Sequence, residues 1–252
     1  NANRVGANDL VIATVDTVRH EEIIASWLRT GKPVILCGPP GSGKTMSLTA
    51  VLRNAPEYEC AFLNFSSQTA PSTVIKLLEQ YTVYKPTIHG LVLTPRSAGK
   101  KLIIFCDEIN LPTPDKYGTQ AVVQLIRQLC ERRGFYRAKD NAWISLENIT
   151  FAGACNPPTD PGRTPMSPRL LRWAPVLFVD FPSKDSLLQI YTTYCRAVLK
   201  RNPRVRNQAP NLAIGMVEFY LASQKRFTPD QQRHYVYSPR ELSRWSRAIH
   251  EG

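Results

Sequence analysis

The run Gly38-Pro39-Pro40-Gly41-Ser42-Gly43-Lys44-Thr45 satisfies G-x-x-x-x-G-K-[ST] without a mismatch, and no other feature of the chain restricts its fold as much. The apolar run Pro33 to Cys37 leads in as a buried strand would, and Met46 to Arg53 leads out as a helix. A strand, a glycine-rich loop and a helix are the context this motif needs. The glycines let the backbone curl so that successive N–H groups face a phosphate, and the following helix sets the positive end of its dipole there. Lys44 is expected to neutralise the outer phosphates, and Thr45 to offer its hydroxyl to Mg2+. The alternative is an accidental Gly/Pro turn, and the correct flanks count against it.

A second motif agrees with the first. Lys101 to Cys106 reads as a buried strand, and it ends in Asp107-Glu108, at the carboxyl end where open parallel sheets bind ligands. Asp107 is the expected Mg2+ holder and Glu108 the group that polarises an attacking water. An acidic pair in this place also serves as a helix cap; its pairing with an intact phosphate loop favours the site. Ile149 to Cys155 reads as another buried strand, ending at Asn156-Pro157-Pro158. The Asn156 amide can hold the lytic water or sense a terminal phosphate, although alone it would read as an Asn opening a turn before Pro.

Hydropathy spacing orders the rest. Helices are expected over 18–29, capped by Asp16 and ended by Gly31, over 71–84, and over 115–132. Strands are expected over 60–65, over 90–95 as half of a hairpin, over 134–137 with 143–146 as a hairpin, and over 175–182. A short helix over 165–173 carries Arg169 and Arg172. Val11 and Ile12, in an arm that is polar and then apolar with Leu10, are candidates for contact with a nucleotide base, packing on the first helix being the alternative. Beyond Ser183 only helices are expected, over 183–201, 211–227 and 238–250. That shift sets a boundary at Pro182, between an α/β nucleotide-binding domain of residues 1–182 and a small helical lid of residues 183–252, truncated at its C-terminus.

Composition narrows the class. Lys and Arg outnumber Asp and Glu by 32 to 20, a net charge of +12, which permits an acidic partner without naming one. Basic residues are scattered in short clusters such as Arg132-Arg133 and Lys200-Arg201, as on a solvated face. Cys37, Cys60, Cys106, Cys130, Cys155 and Cys195 show no C-x-x-C spacing and read as reduced thiols of a cytosolic protein. Cys37, Cys106 and Cys155 end the three motif-bearing strands and are expected to be buried. No apolar run is long enough to span a bilayer, and no signal-peptide pattern opens the chain.

The phosphate loop, Asp107-Glu108, Asn156, the Arg169/Arg172 pair before a last strand, and Ser238-Pro239-Arg240 on a helical tail together resemble the AAA+ ATPases over the whole chain. The resemblance implies an α/β P-loop NTPase with a five-stranded parallel sheet between helices and a small all-helical lid, enclosing ATP or ADP with Mg2+. It implies that Asn156 orients water and that Arg240 reaches the γ-phosphate. Asn64 is similar in place to the switch that restrains the glutamate. Asp16-Thr17-Val18-Arg19-His20, Asp107-Glu108-Ile109-Asn110-Leu111-Pro112, Asp115-Lys116-Tyr117-Gly118, the run from Gly153 to Arg163 and Tyr237-Ser238-Pro239-Arg240-Glu241 narrow the likeness to the dynein heavy-chain motor. The Pro-Pro-Gly-Ser-Gly-Lys-Thr-Met form of the loop is most similar to the third AAA+ module of cytoplasmic dyneins. Leu170 and Trp173 depart from the family's usual Phe and His, while both arginines are kept.

What the family implies is a regulatory ATPase that couples the main hydrolysis site of a motor ring to microtubule binding, in the cytoplasm and on the cytoskeleton. Arg169 and Arg172 would act on the site of a neighbouring module in the same heavy chain, so this chain would not complete its own site. Microtubules would be reached only through a stalk, and no heptad run for one is present. Dynein regulators are implied as partners; nucleic acid and membrane are not. Two alternatives stay open: a DNA-handling AAA+ ATPase, motivated by the positive charge, and a structural spacer that binds nucleotide without turnover.

Overall fold

A computed structural model describes residues 11–88, 90–200, 204–232 and 234–251. The expectations for residues 1–10, including Leu10, and for Arg201 and Gly252 lie outside the described residues. The fold comprises two compact units. The larger is Glu21–Gly38 with Ser47–Val179; the smaller is Pro39–Met46, Asp180–Gly252 and the described part of Asn1–His20.

In the larger unit a parallel sheet is built from β1 (Val34–Cys37), β2 (Tyr58–Asn64), β5 (Lys101–Asp107), β8 (Ile149–Cys155) and β9 (Val176–Phe178), in the order β2-β5-β8-β1-β9. Side chains alternate between its faces, so neighbouring apolar residues enter different cores. Ile35, Ile104, Cys106 and Cys155 pack against Val122, Val123, Ile126 and Leu129 of α4 (Ala121–Arg132) and against Val74 and Leu78 of α3 (Pro71–Tyr81). Val34, Leu36, Ile103, Phe105 and Ala154 pack on the opposite face against Ile24 and Leu28 of α1 (Val15–Arg29) and Leu48 and Val51 of α2 (Lys44–Arg53). Burial on both sides is why these strands read as continuous apolar runs rather than as alternating ones. β8 lies between β1 and β5, with Cys37 opposite Cys155.

A second, four-stranded sheet was not expected as a sheet. It runs β3-β4-β7-β6, joining the hairpin β3 (Thr82–Thr87) and β4 (Gly90–Pro95) to the hairpin β6 (Gly134–Tyr136) and β7 (Trp143–Leu146) through a parallel β4/β7 pair. Gly134 has no room for a side chain, since a Cβ there would lie 2.4 Å from the Trp143 ring.

Several boundaries differ from the expected ones, each for a local reason. α3 stops at Tyr81 rather than residue 84, because Thr82 turns its hydroxyl back to the Leu78 carbonyl and the chain enters β3. α4 begins at Ala121, not at Asp115: the Asp115 carboxylate accepts from the Tyr117 and Thr119 N–H groups and spends those residues on a turn. β2 is an edge strand with Phe62 half exposed, not a fully buried one. Asp16 does not cap α1; the hydroxyl of Thr14 does, accepting from the Thr17 N–H. Gly31 ends that helix as expected, at φ +69°. The helix around Arg169 shrinks to α5 (Pro168–Leu171), and β9 covers only three residues. Cys106 and Cys155 are buried, but Cys37 is only partly so.

The smaller unit holds α6 (Lys184–Leu199), a 3₁₀ turn at Arg206–Gln208, α7 (Ala209–Arg226) and α8 (Pro239–Glu251). Its core joins Leu187, Tyr191 and Cys195 to Ala213, Met216, Val217 and Tyr220, and to Leu242 of α8. The buried Tyr191 hydroxyl donates to the Pro239 carbonyl at 2.8 Å and so pins the start of α8. Ser183 caps α6, accepting from the Ser186 N–H, and the Asp16 carboxylate takes the Ser186 hydroxyl at 2.6 Å. An acid at a helix N-terminus completes unpaired N–H groups and meets the positive dipole end.

Candidate active site

The phosphate loop follows β1 directly, and Gly38 donates its N–H to the Cys155 carbonyl at the end of β8. Within the smaller unit, Gly41 and Gly43 take φ of +86° and +93°, a region that L side chains enter only with strain. Ser42 N–H closes a turn on the Pro39 carbonyl, and Lys44, buried at the start of α2, donates its Nζ to that same carbonyl at 3.0 Å. A Cβ on Gly41 would lie 2.9 Å from the Ser238 Oγ and 3.4 Å from the Arg240 Cγ. The loop and the start of α8 therefore meet with no space for a side chain. Ser42 Oγ is buried and has no hydrogen-bond partner, a state that costs about 1–3 kcal/mol. An anion with several acceptor oxygens fits such a cradle of N–H groups, a hydroxyl and a lysine. Arg240 itself is exposed, as are Pro39, Pro40 and Thr45 in part; Val11 and Ile12 are partly buried.

In the larger unit the acids emerge where expected, at the end of β5, with Asn64 of β2 in register with Asp107. The Asp107 carboxylate accepts the Glu108 N–H at 3.0 Å, and Glu108 stands at φ +58°, a left-handed conformation unusual for a glutamate. The turn is then strapped to the end of β8 and to the loop after it. Ile109 N–H donates to Ala154, the buried Asn110 amide to the Asn156 carbonyl at 2.9 Å, and Thr164 N–H to the Asn110 carbonyl. Asn156 is buried at the head of that loop. Glu108 is ion-paired with Arg163.

That partner is not the expected one. Asn64 is exposed at its strand end, and the carboxylate is held instead by an arginine that sequence reasoning treated only as part of a longer run. The signal was present in Pro161-Gly162-Arg163: Gly162 at φ +75° turns the chain back toward the acids. Arg169 and Arg172 are both exposed, on an α5 anchored by the fully buried Leu170, with the Arg172 guanidinium over the Trp173 ring. Burial pushes the Cys60 thiol up to about 12 and that of Cys106 further still.

Residues 2–182 match the family described as P-loop containing dynein motor region, and residues 194–252 that of the dynein heavy chain ATPase lid domain. The chain belongs to the dynein heavy-chain motor family. Relatives similar along nearly its full length include the cytoplasmic dynein heavy chains of Caenorhabditis elegans, at 56% identity over 99% of this chain, of Drosophila melanogaster, at 56% over 99%, and of Dictyostelium discoideum, at 56% over 99%. This chain spans only 6%, 5% and 5% of those proteins. It is thus similar to one segment of a dynein heavy chain, an AAA-type P-loop module with its helical lid. Among the described residues no helix is long and apolar enough to cross a membrane.

Proposed function

We propose that this chain is the third AAA+ module of a cytoplasmic dynein heavy chain, and that it binds and slowly hydrolyses ATP to gate communication between the main ATPase site and the microtubule-binding stalk. One observation carries the reading: a dynein-family chain carries Lys44, Glu108, Asn156 and Arg240, and a bare spacer has no use for the glutamate. Residues 1–182 form the nucleotide-binding domain and residues 183–252 the lid. The loop from Gly38 to Thr45 cradles the phosphates, Val11 and Ile12 border the base, and Arg240 reports the γ-phosphate to the lid. Thr45 and Asp107 hold Mg2+, which when bound offsets phosphate charge. Glu108 polarises the attacking water and Asn156 orients it. Arg169 and Arg172 serve the neighbouring module's site, and the finger for this one comes from the next. The module works in the cytoplasm, on the cytoskeleton, and dynein regulators are among its partners.

A second reading has its own support. The ion pair that occupies Glu108 suits a module that holds nucleotide for long periods. Both readings are tested in the full-length motor with Lys44→Ala, which is expected to abolish binding at this module, and Glu108→Gln, which is expected to trap ATP. Each should slow microtubule gliding while the first site keeps its own chemistry. Wild-type velocity and microtubule-stimulated ATPase in both variants would make the module a passive spacer.

A further inference from the structure

We propose that Arg163 is a latch on Glu108, a positioning residue that holds the hydrolytic carboxylate in an ion pair until the loop after β8 moves. The proposal rests on the reading of Glu108 as the group that polarises water. It adds a restraint supplied by the same chain, from a residue without a role in that reading.

Among the described residues, the contacts that join the turn after β5 to the end of β8 and the loop after it include Ile109 to Ala154, Asn110 to Asn156, Thr164 to Asn110, and Arg163 to Glu108. The first three use a backbone group on at least one side, and they keep the two segments together whether or not the fourth is made. Only the fourth joins two charged side chains by their tips, so only it opens without taking the region apart. Its members differ in freedom. The Arg163 side chain is 13% exposed and that of Glu108 34%, which makes the arginine the seated partner and the carboxylate the one that reaches water.

Charge-assisted pairing fixes a carboxylate oxygen in direction as well as in charge. The Glu108 Oε2 in contact with Arg163 Nη1 is turned toward the guanidinium, and that charge lowers the carboxylate's pull on a water proton while the pair holds. The left-handed backbone at Glu108 adds a second restraint, because it aims the side chain by a conformation that a glutamate adopts only when its surroundings hold it there. Arg163 also closes the loop that begins at Asn156, through turns from Pro157 to Asp160 and from Asp160 to Arg163. A shift of Asn156 is therefore transmitted along a short, turn-braced segment to the guanidinium, and the residue that would sense phosphate can release the residue that would polarise the attacking water.

The test uses the full-length heavy chain, with the P-loop lysines of its other nucleotide-binding modules replaced so that this module alone turns over. Arg163→Ala is expected to raise single-turnover hydrolysis about tenfold at unchanged ATP affinity, the scale of one charge-assisted hydrogen bond lost from the ground state. Arg163→Lys, which keeps the charge without the fork, is expected to lie between that value and wild type. Adding Glu108→Gln to Arg163→Ala is expected to remove the gain entirely, since the latch acts only through the glutamate. Arg163→Gln, which keeps length and hydrogen bonding, is measured alongside, and the same rise is expected. If Glu108→Gln alone leaves hydrolysis intact, the functional reading itself fails. If Glu108→Gln stops turnover while the Arg163 variants leave the rate unchanged or lower it, that reading stands and the latch is overturned.

Discussion

Between Pro39 and Lys44 the chain takes its shape from its own backbone, whereas between Asp107 and Leu111 it leans on contacts with β8 and the loop after it, among them one arginine side chain 55 residues further on. The first segment is preset: two left-handed glycines and a turn on Pro39 leave it few alternatives. The second keeps its outline through backbone and amide links, but its reactive group rests in an ion pair that can be exchanged. Binding geometry is built into covalent structure, while the chemistry waits on a contact. On the proposed reading, a module made this way holds nucleotide constantly and is still switched.

The comparison is sharpened most by the isolated chain, in which the preset loop is complete and the supply of catalytic charge is not. Dilute fragment is expected to bind ATP yet hydrolyse it about a thousandfold more slowly than the module within its ring, the usual cost of a missing trans arginine. A single-turnover assay on monomer checks this, and brisk hydrolysis would mean that the acidic turn needs nothing from outside.

The glycines offer the next largest effect. Gly41 and Gly43 share a backbone conformation but not a surrounding, for a Cβ on Gly41 collides with Ser238 while one on Gly43 meets nothing within 4 Å. Gly43→Ala should cost only the left-handed strain, about 1–2 kcal/mol. Gly41→Ala should cost that and force the start of α8 away as well, giving a visibly larger loss in thermal denaturation and in ATP affinity. Equal losses would show that the loop, like the acidic turn, yields to its neighbours.

Legibility in the sequence follows the same division. Motif, strand and loop were readable wherever local residues decide the outcome: the β1 run into Gly38, the Asp107-Glu108 end of β5, the hairpin around Lys139, and Ser183 at the head of α6. What escaped was settled by partners distant in sequence. The parallel pairing of Leu91–Leu93 with Ile144–Leu146 makes one sheet of two hairpins, and no periodicity announces it. Asp16 looked like a cap for the helix beside it and serves a helix 170 residues away. Asn64 stood at the right strand end, but the glutamate it was expected to restrain found a stronger, charged partner in Arg163. Side chains with a choice of partners are where local reading stops, and those are the contacts through which the module can change state.

Asp16 carries the smallest and most specific of the expected effects. Its carboxylate accepts from the Ser186 hydroxyl and the Ser183 N–H, and the first of these contacts is the main reason that its pKa lies below the usual carboxylate value of 3.8, with burial next in size and pulling the other way. A depressed carboxylate contributes stability that is whole above that value and is lost as the pH falls through the folded one, so this contribution fades only below about pH 4. His20 acts earlier in the same direction. Burial lowers its pKa below 6.5 against the pull of Asp16, and acid therefore favours the unfolded, charged imidazole from that point down. Asp16→Asn should remove about 1 kcal/mol at neutral pH, as for a lost helix cap, and nearer the low end because the carboxylate is well solvated. It should also erase the limb below pH 4 and deepen the His20 limb, whose opposing charge is gone. Hydrogen exchange at the Ser186 and Leu187 amides, followed from pH 7 to 3, reads both. Unchanged protection in the variant would mean that Ser183 alone caps α6 and that the N-terminal arm is not tied to the lid through this acid.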